Sequence, residues 1–211
     1  MKKLVYSIGV IGFLVSCGGP AEEPTNTETK DTVKEETVVV EDPAPENSFL
    51  MESGIVGVFK IGQPIGKLPL ELSTRKSTVS RMVDGAPEDH MQLIVFNSLE
   101  DLAEITMEKN DNIHEDDLVV IDMRVLSNYY ETKDGIKVGS TVSELTGKYT
   151  DTKFRYNGST GEIVGESAAQ PGVQFVIDPA GCTKKVSGSK DITLSAKNFT
   201  EDAKIKFVNV F

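Results

Sequence analysis

The chain has 211 residues, 33 acidic and 22 basic, for a formal net charge of −11, with 38% apolar residues and no tryptophan. That charge argues against nucleic acid or anionic lipid headgroups as partners, because like charges repel at the surface. The length suits one domain, or two small halves sharing a core, behind any targeting segment.

Lys2 and Lys3 precede a predominantly apolar run of twelve residues from Leu4 to Val15. A membrane span needs about 20 apolar residues, whereas this length fits the core of a signal peptide. The run closes on Leu14-Val15-Ser16-Cys17. At this distance from a charged start, the stretch resembles the lipobox of bacterial lipoproteins. The resemblance implies cleavage before Cys17, diacylation of its thiol and acylation of the new amino terminus, so residues 1–16 form the signal peptide. Gly18 and Gly19 follow, not an acidic residue, and within the resemblance this points to the outer membrane of a double-membrane envelope. A single-membrane cell stays open, as does the face of the membrane. Each buried acyl methylene contributes about 0.8 kcal/mol, so one chain holds only marginally and two or three anchor lastingly. With Cys17 acylated, Cys182 has no disulfide partner and the fold rests on apolar burial.

Residues 17–47 carry the lipidated cysteine and an acidic tether. From Gly18 to Asn47 there are nine acidic residues against two lysines, with Pro20, Pro24, Pro43 and Pro45. Proline blocks regular structure, and so polar a stretch cannot offset chain entropy by burial, which predicts disorder. A flexible chain of this length spans about 30 Å, lengthened by charge repulsion. Val38-Val39-Val40 has the composition to pair with a sheet edge.

Two segments echo each other 77 residues apart. Val58-Phe59-Lys60-Ile61-Gly62-Gln63-Pro64-Ile65-Gly66-Lys67-Leu68 aligns with Gly135-Ile136-Lys137-Val138-Gly139-Ser140-Thr141-Val142-Ser143-Glu144-Leu145. Each reads as a strand, a glycine turn and a short helix. In the second, Ser140 or Thr141 caps the helix, Glu144 lies in its first turn, and Val142, Leu145 and Tyr149 face the core. Strand-like stretches follow each copy: Thr78–Val83, Met91–Phe96, a strand from Ala103 onward and Leu118–Leu126, then Lys153–Tyr156, Glu162–Glu166, Val173–Ile177 and Ala203–Phe211. Leu99, Leu102 and Ala103 behind Ser98 also fit a helical stripe, but Ala103, Ile105 and Met107 alternate as a strand does. Asn157-Gly158-Ser159-Thr160-Gly161 reads as a hairpin loop. The expected fold is α+β: a tandem pair of small units, residues 48–127 and 128–211, each with a strand, a short helix and an antiparallel meander, forming largely antiparallel sheets. Gly139-Ser140-Thr141-Val142-Ser143-Glu144-Leu145 resembles the glycine-threonine helix start of small outer-membrane lipoproteins of the SmpA/OmlA type. That resemblance covers only these residues, implies envelope assembly or maintenance, and transfers no binding residue.

Chemistry-bearing residues are few. Gly62-Gln63-Pro64-Ile65-Gly66-Lys67 approaches a phosphate loop, but its spacing is one residue short and Leu68 stands where Ser or Thr is needed. It reads as a tight turn. Asp111, His114, Glu115, Asp116 and Asp117 lack the EF-hand spacing and its glycine, and read as a solvated loop. Asp84, Glu88, Asp89 and His90 read as another. No G-x-S-x-G elbow occurs, and Ser159 lies in the hairpin loop. Cys182, with Lys184 and Lys185 beside it and no histidine near in sequence, reads as a small residue at a turn.

The reading that follows is a lipid-anchored, non-catalytic envelope protein that binds a protein or an envelope polymer and needs no cofactor. Two alternatives stay open. A metal-dependent hydrolase requires His90, His114 and carboxylates such as Asp84 or Asp116 to converge. A small-ligand carrier requires a cleft between the two units.

Overall fold

The computed structural model describes residues 49–67, 73–83, 85–108, 114 and 117–211. Cys17 and the tether lie outside that set. Three two-residue strands come first: β1 (Met51–Glu52), β2 (Ile55–Val56) and β3 (Phe59–Lys60), which form a small antiparallel sheet. Met51, Val56 and Phe59 alternate with exposed or half-exposed residues and are buried, which packs this sheet onto the core. A single 3₁₀ turn, Ile65–Lys67, follows.

The rest is dominated by one sheet of nine strands. These are β4 (Thr74–Val83), β5 (Ala86–Phe96), β6 (Asp101–Met107), β7 (Val120–Val125), β8 (Lys153–Asn157), β9 (Glu162–Glu166), β10 (Val173–Ile177), β11 (Ile192–Leu194) and β12 (Ile205–Val210). Their order across the sheet is β11-β8-β9-β10-β12-β7-β6-β5-β4, and every neighbouring pair is antiparallel. The expectation of largely antiparallel sheets therefore holds. The two meanders join edge to edge where Met123–Val125 of β7 pairs with Val208–Val210 of β12.

Period-two alternation explains the packing. One register row runs Val95, Ala103, Val125, Val208, Phe175, Gly165, Phe154, Leu194, and all eight are buried. Gly165 leaves room for the Phe154 ring, which a Cβ there would meet at 2.9 Å. Each large side chain so buried contributes about 1.5–3 kcal/mol. Tyr130 joins this core, and burial, with Tyr129 adding a smaller push, raises its hydroxyl to about 12.

Among the described residues there is one α-helix, α1 (Val142–Lys148), where the capping signal placed it. Thr141 Oγ1 accepts from the Glu144 N–H at 3.1 Å, and the Glu144 carboxylate accepts from the Thr141 N–H at 2.6 Å. The backbone bond, then the side-chain bond, holds the Glu144 carboxyl below its usual range. Val142 and Leu145 are buried beneath it. Among the described residues the first segment shows no such helix. Pro64 stands where Thr141 caps, so no hydroxyl can accept the first amides, and Ile65–Lys67 forms only the 3₁₀ turn.

The two segments nevertheless dock alike. Gly62 N–H donates to Val120 O, Val120 N–H to Gln63 O, and Ile65 N–H to Leu118 O. Gly139 N–H donates to Ile205 O, Ile205 N–H to Ser140 O, and Val142 N–H to Ala203 O, in the same pattern. Gly62 and Gly139 both hold positive φ, at 78° and 86°, which favours glycine at each. The register slips between Thr106 and Met107 opposite β7, and between Val176 and Ile177 opposite β12. These bulges occupy matching places in the two meanders.

Candidate functional site

The large sheet has two unlike faces. Opposite the apolar rows, Gln92, Thr106 and Asp122 form one register row across β5, β6 and β7. The next row runs Ile94, Glu104, Arg124, Asn209, Gln174, Glu166, Lys153. His90, Gln92, Thr106, Asp122 and Asn209 are buried despite their polarity. Burying such groups costs free energy unless they find partners, and most do.

Arg81 of β4 forks onto Asp122, pairing through Nη1 and donating from Nη2 to Oδ1 at 2.9 Å. A further bond from Nη2 reaches Thr106 Oγ1 at 3.0 Å. On a flat sheet β4 and β7 would lie about 14 Å apart, farther than an arginine can reach. The distal part of the β4–β5 hairpin therefore curls over this face. Arg124 Nε donates to Asn209 Oδ1 at 3.0 Å, and its guanidinium lies 4.4 Å from the Phe207 ring centroid. Glu166 accepts from Gln174 Nε2 at 2.6 Å and from Arg155 at 3.4 Å. Val164 and Val176 are buried on the same face, outside the main core cluster. The result is a curved surface of guanidinium, amide and carboxylate groups over a thin apolar layer, chemistry suited to gripping a polar chain.

His90 differs from its sequence reading. It lies in β5, not a loop, and is buried. The Gly85 turn, φ 84°, lets β4 pair with β5 through the polar stretch back to Ala86, so Glu88 and Asp89 are strand residues too. His90 Nδ1 lies 3.2 Å from Met107 O. A carbonyl only accepts, so Nδ1 carries the proton. Nε2 is buried with no hydrogen-bond partner among the described residues.

The other sequence candidates scatter. His114 is exposed, and Asp117 N–H donates to its carbonyl in a turn. Asp84, Asp111, Glu115 and Asp116, like Cys17, lie outside the described residues. Among those described, no three His, Cys, Asp or Glu side chains converge to hold a metal ion. Ser159 is bound to Asn157 within its turn. Cys182 is half-buried, packs against the core and donates its thiol to Lys184 O at 3.3 Å. Between α1 and β11 an open depression of about 560 Å³ is lined by Thr146, Phe154, Arg155 and Leu194 among others. Where the two meanders meet, β7 and β12 pair directly and no cleft separates them there. Among the described residues no helix is long and apolar enough to cross a membrane.

Sequence reasoning missed Arg81, Asp122, Arg124 and Asn209. The signal was present in Val120-Ile121-Asp122-Met123-Arg124-Val125, where two charges alternate inside an apolar strand. Such residues must find partners on the sheet's second face.

No family model and no curated protein matches the chain. Among solved structures it is similar to the crystal structure of the uncharacterized protein yfeY from Escherichia coli, with a TM-score of 0.50 at 13% identity, covering 75% of this chain and 96% of that one. At that identity the likeness is one of fold: both chains build this β-rich body.

Proposed function

We propose that the chain is a lipid-anchored lipoprotein of the cell envelope whose β-rich body binds a protein or an envelope polymer without catalysis. The observation that carries the anchoring is Leu14-Val15-Ser16-Cys17 closing a short apolar run behind Lys2 and Lys3. The acidic, proline-punctuated composition of residues 18–47 supports a tether that holds the body clear of the lipid surface. The outer membrane is the favoured site. The curved polar face of Arg81, Asp122, Arg124 and Asn209 supports binding, since its charged groups are already held in place by one another. The body is a tandem pair: the matching hydrogen bonds of Gly62 and Gly139, and the matching bulges in β6–β7 and β10–β12, support one ancestral unit used twice.

Metabolic labelling with a fatty-acid analogue tests the anchor. Wild type incorporates the label and fractionates with membranes, while Cys17→Ala does neither. Equal release of both forms into the soluble fraction refutes the anchoring.

A further inference from the structure

The depression between α1 and β11, about 560 Å³ in volume, falls in the size range of small-molecule sites. Its lining sets hydroxyl groups around two cationic side chains. Thr146 comes from α1, Thr150 and Thr152 from the segment that follows it, Lys153 and Arg155 from β8, and Thr193 from β11. Phe154 and Leu194 contribute the apolar part of the lining.

The hydrogen-bonding capacity left in this lining is selective. Thr146 Oγ1 donates to Val142 O at 3.0 Å, Thr152 Oγ1 to Tyr149 O at 2.5 Å and Ser195 Oγ to Asn198 Oδ1 at 3.2 Å. A hydroxyl has one proton and two lone pairs, so with the proton spent each of these oxygens only accepts. The Glu166 carboxylate, whose Oε1 takes bonds from Gln174 and Arg155, also only accepts. Lys153 and Arg155 only donate. A ligand that satisfies both sets must donate and accept from closely spaced atoms. Charge narrows the class further. The Arg155 guanidinium lies 3.4 Å from Glu166 and 3.8 Å from Asp191, so two carboxylates already attend it. Lys153 and Arg155 balance Glu166 and Asp191. An anion meets those carboxylates and acceptor-only hydroxyls, and a cation meets Lys153 and Arg155. A neutral polyol meets neither obstacle, because each of its hydroxyls donates and accepts at one oxygen. Lys153 and Glu166 also belong to the register row that continues through Gln174, Asn209 and Arg124. That row repeats polar groups at the strand spacing of about 4.8 Å, so the depression is continuous with the polar face and can hold one end of a longer chain.

We infer that the depression beside α1 binds a sugar unit of a neutral polysaccharide, whose following units lie along Glu166, Gln174, Asn209 and Arg124. This deepens the binding reading above in its polymer form and rests on it.

The test uses the mature lipidated chain in nanodiscs on an array of neutral and uronic-acid glycans, then calorimetry with oligosaccharides of the neutral glycan best retained. A neutral glycan should be retained, with an affinity that rises with chain length and stays the same between low and high salt. Lys153→Met removes donors at an exposed position and should weaken binding about tenfold. Ala196→Trp, also at an exposed position, fills the depression and should abolish binding, with an unchanged urea-unfolding midpoint to show that the fold is intact. The inference is overturned if no neutral glycan is retained, if uronic-acid glycans are preferred, if salt weakens binding, if affinity does not rise with length, or if either variant binds as wild type does. Retention that survives Ala196→Trp but falls with Arg124→Gln overturns the depression and leaves the polymer-binding reading standing. Acylation of Cys17 is scored separately in the same preparation, so loss of the anchor and loss of the sugar site give different results.

Discussion

Arg81 and Asp122 are tied by two contacts, yet they are unequally buried: the Asp122 side chain is 12% exposed and that of Arg81 36%. The carboxylate therefore depends on the guanidinium more than the reverse. Removing one partner of a buried pair leaves an uncompensated charge, which costs more than the pair itself contributes. Arg81→Met should destabilise the fold by about 3 kcal/mol, discounted toward about 2 by the partial exposure of the arginine. Combining it with Asp122→Asn should recover more than half of that loss. Urea unfolding of the two variants checks both numbers, and a double variant as unstable as the single one would show that Asp122 has other, stronger ties. His90 illustrates the opposite bookkeeping at the same scale: one nitrogen is bonded to Met107 O and the other has no hydrogen-bond partner among the described residues.

At the scale of the element, α1 shows how a few residues decide whether a turn becomes a helix. The reciprocal bonds of Thr141 and Glu144 close the first turn of α1, a cap that Pro64, with neither hydroxyl nor N–H, cannot make in the first segment. Thr141→Ala should cost about 1 kcal/mol, measured by the same unfolding assay. Glu144 has its carboxyl held below the ordinary range by Thr141. Its contribution is thus present above the unfolded-state value and fades as pH falls through the folded one. Glu144→Gln should abolish that part of the acid dependence, seen as a smaller stability difference between neutral and acid pH than in wild type. Legibility in the sequence followed the same logic. Glu162–Glu166 and Val173–Ile177 were readable to the residue because turn residues bound them and the apolar pattern fills them. The cap of α1 was readable because it is local. The reach of β5 back to Ala86 was not, because Pro87, Glu88 and Asp89 carry no strand signal and are held extended by pairing with β4. The polar face was hidden for a similar reason: Arg81 and Asp122 are 41 positions apart and meet only once the hairpin curls.

Across the whole molecule, one core and one sheet serve both meanders, so they should unfold together. Hydrogen exchange in increasing urea should give the slowest amides of β6 and β9 the same midpoint. An earlier loss of the β4–β7 meander would show that the β7–β12 seam, held by Val208, Asn209 and Val210 against Val125, Arg124 and Met123, does not couple them. That seam also sets an order in time. β12 is the most distal strand in the chain, yet it lies in the middle of the sheet, between β10 and β7. While the ribosome still holds residues 205–210, the two flanks have no common strand, Val173 and Met123 lack their shared neighbour Val210, and the apolar rows end in open edges. A polypeptide clipped just before Ile205 would leave two orphaned sheets in place of one, so synthesis through β12 is itself a condition of joining them. A protease or chaperone could thereby tell a chain that carries β12 from one cut before it.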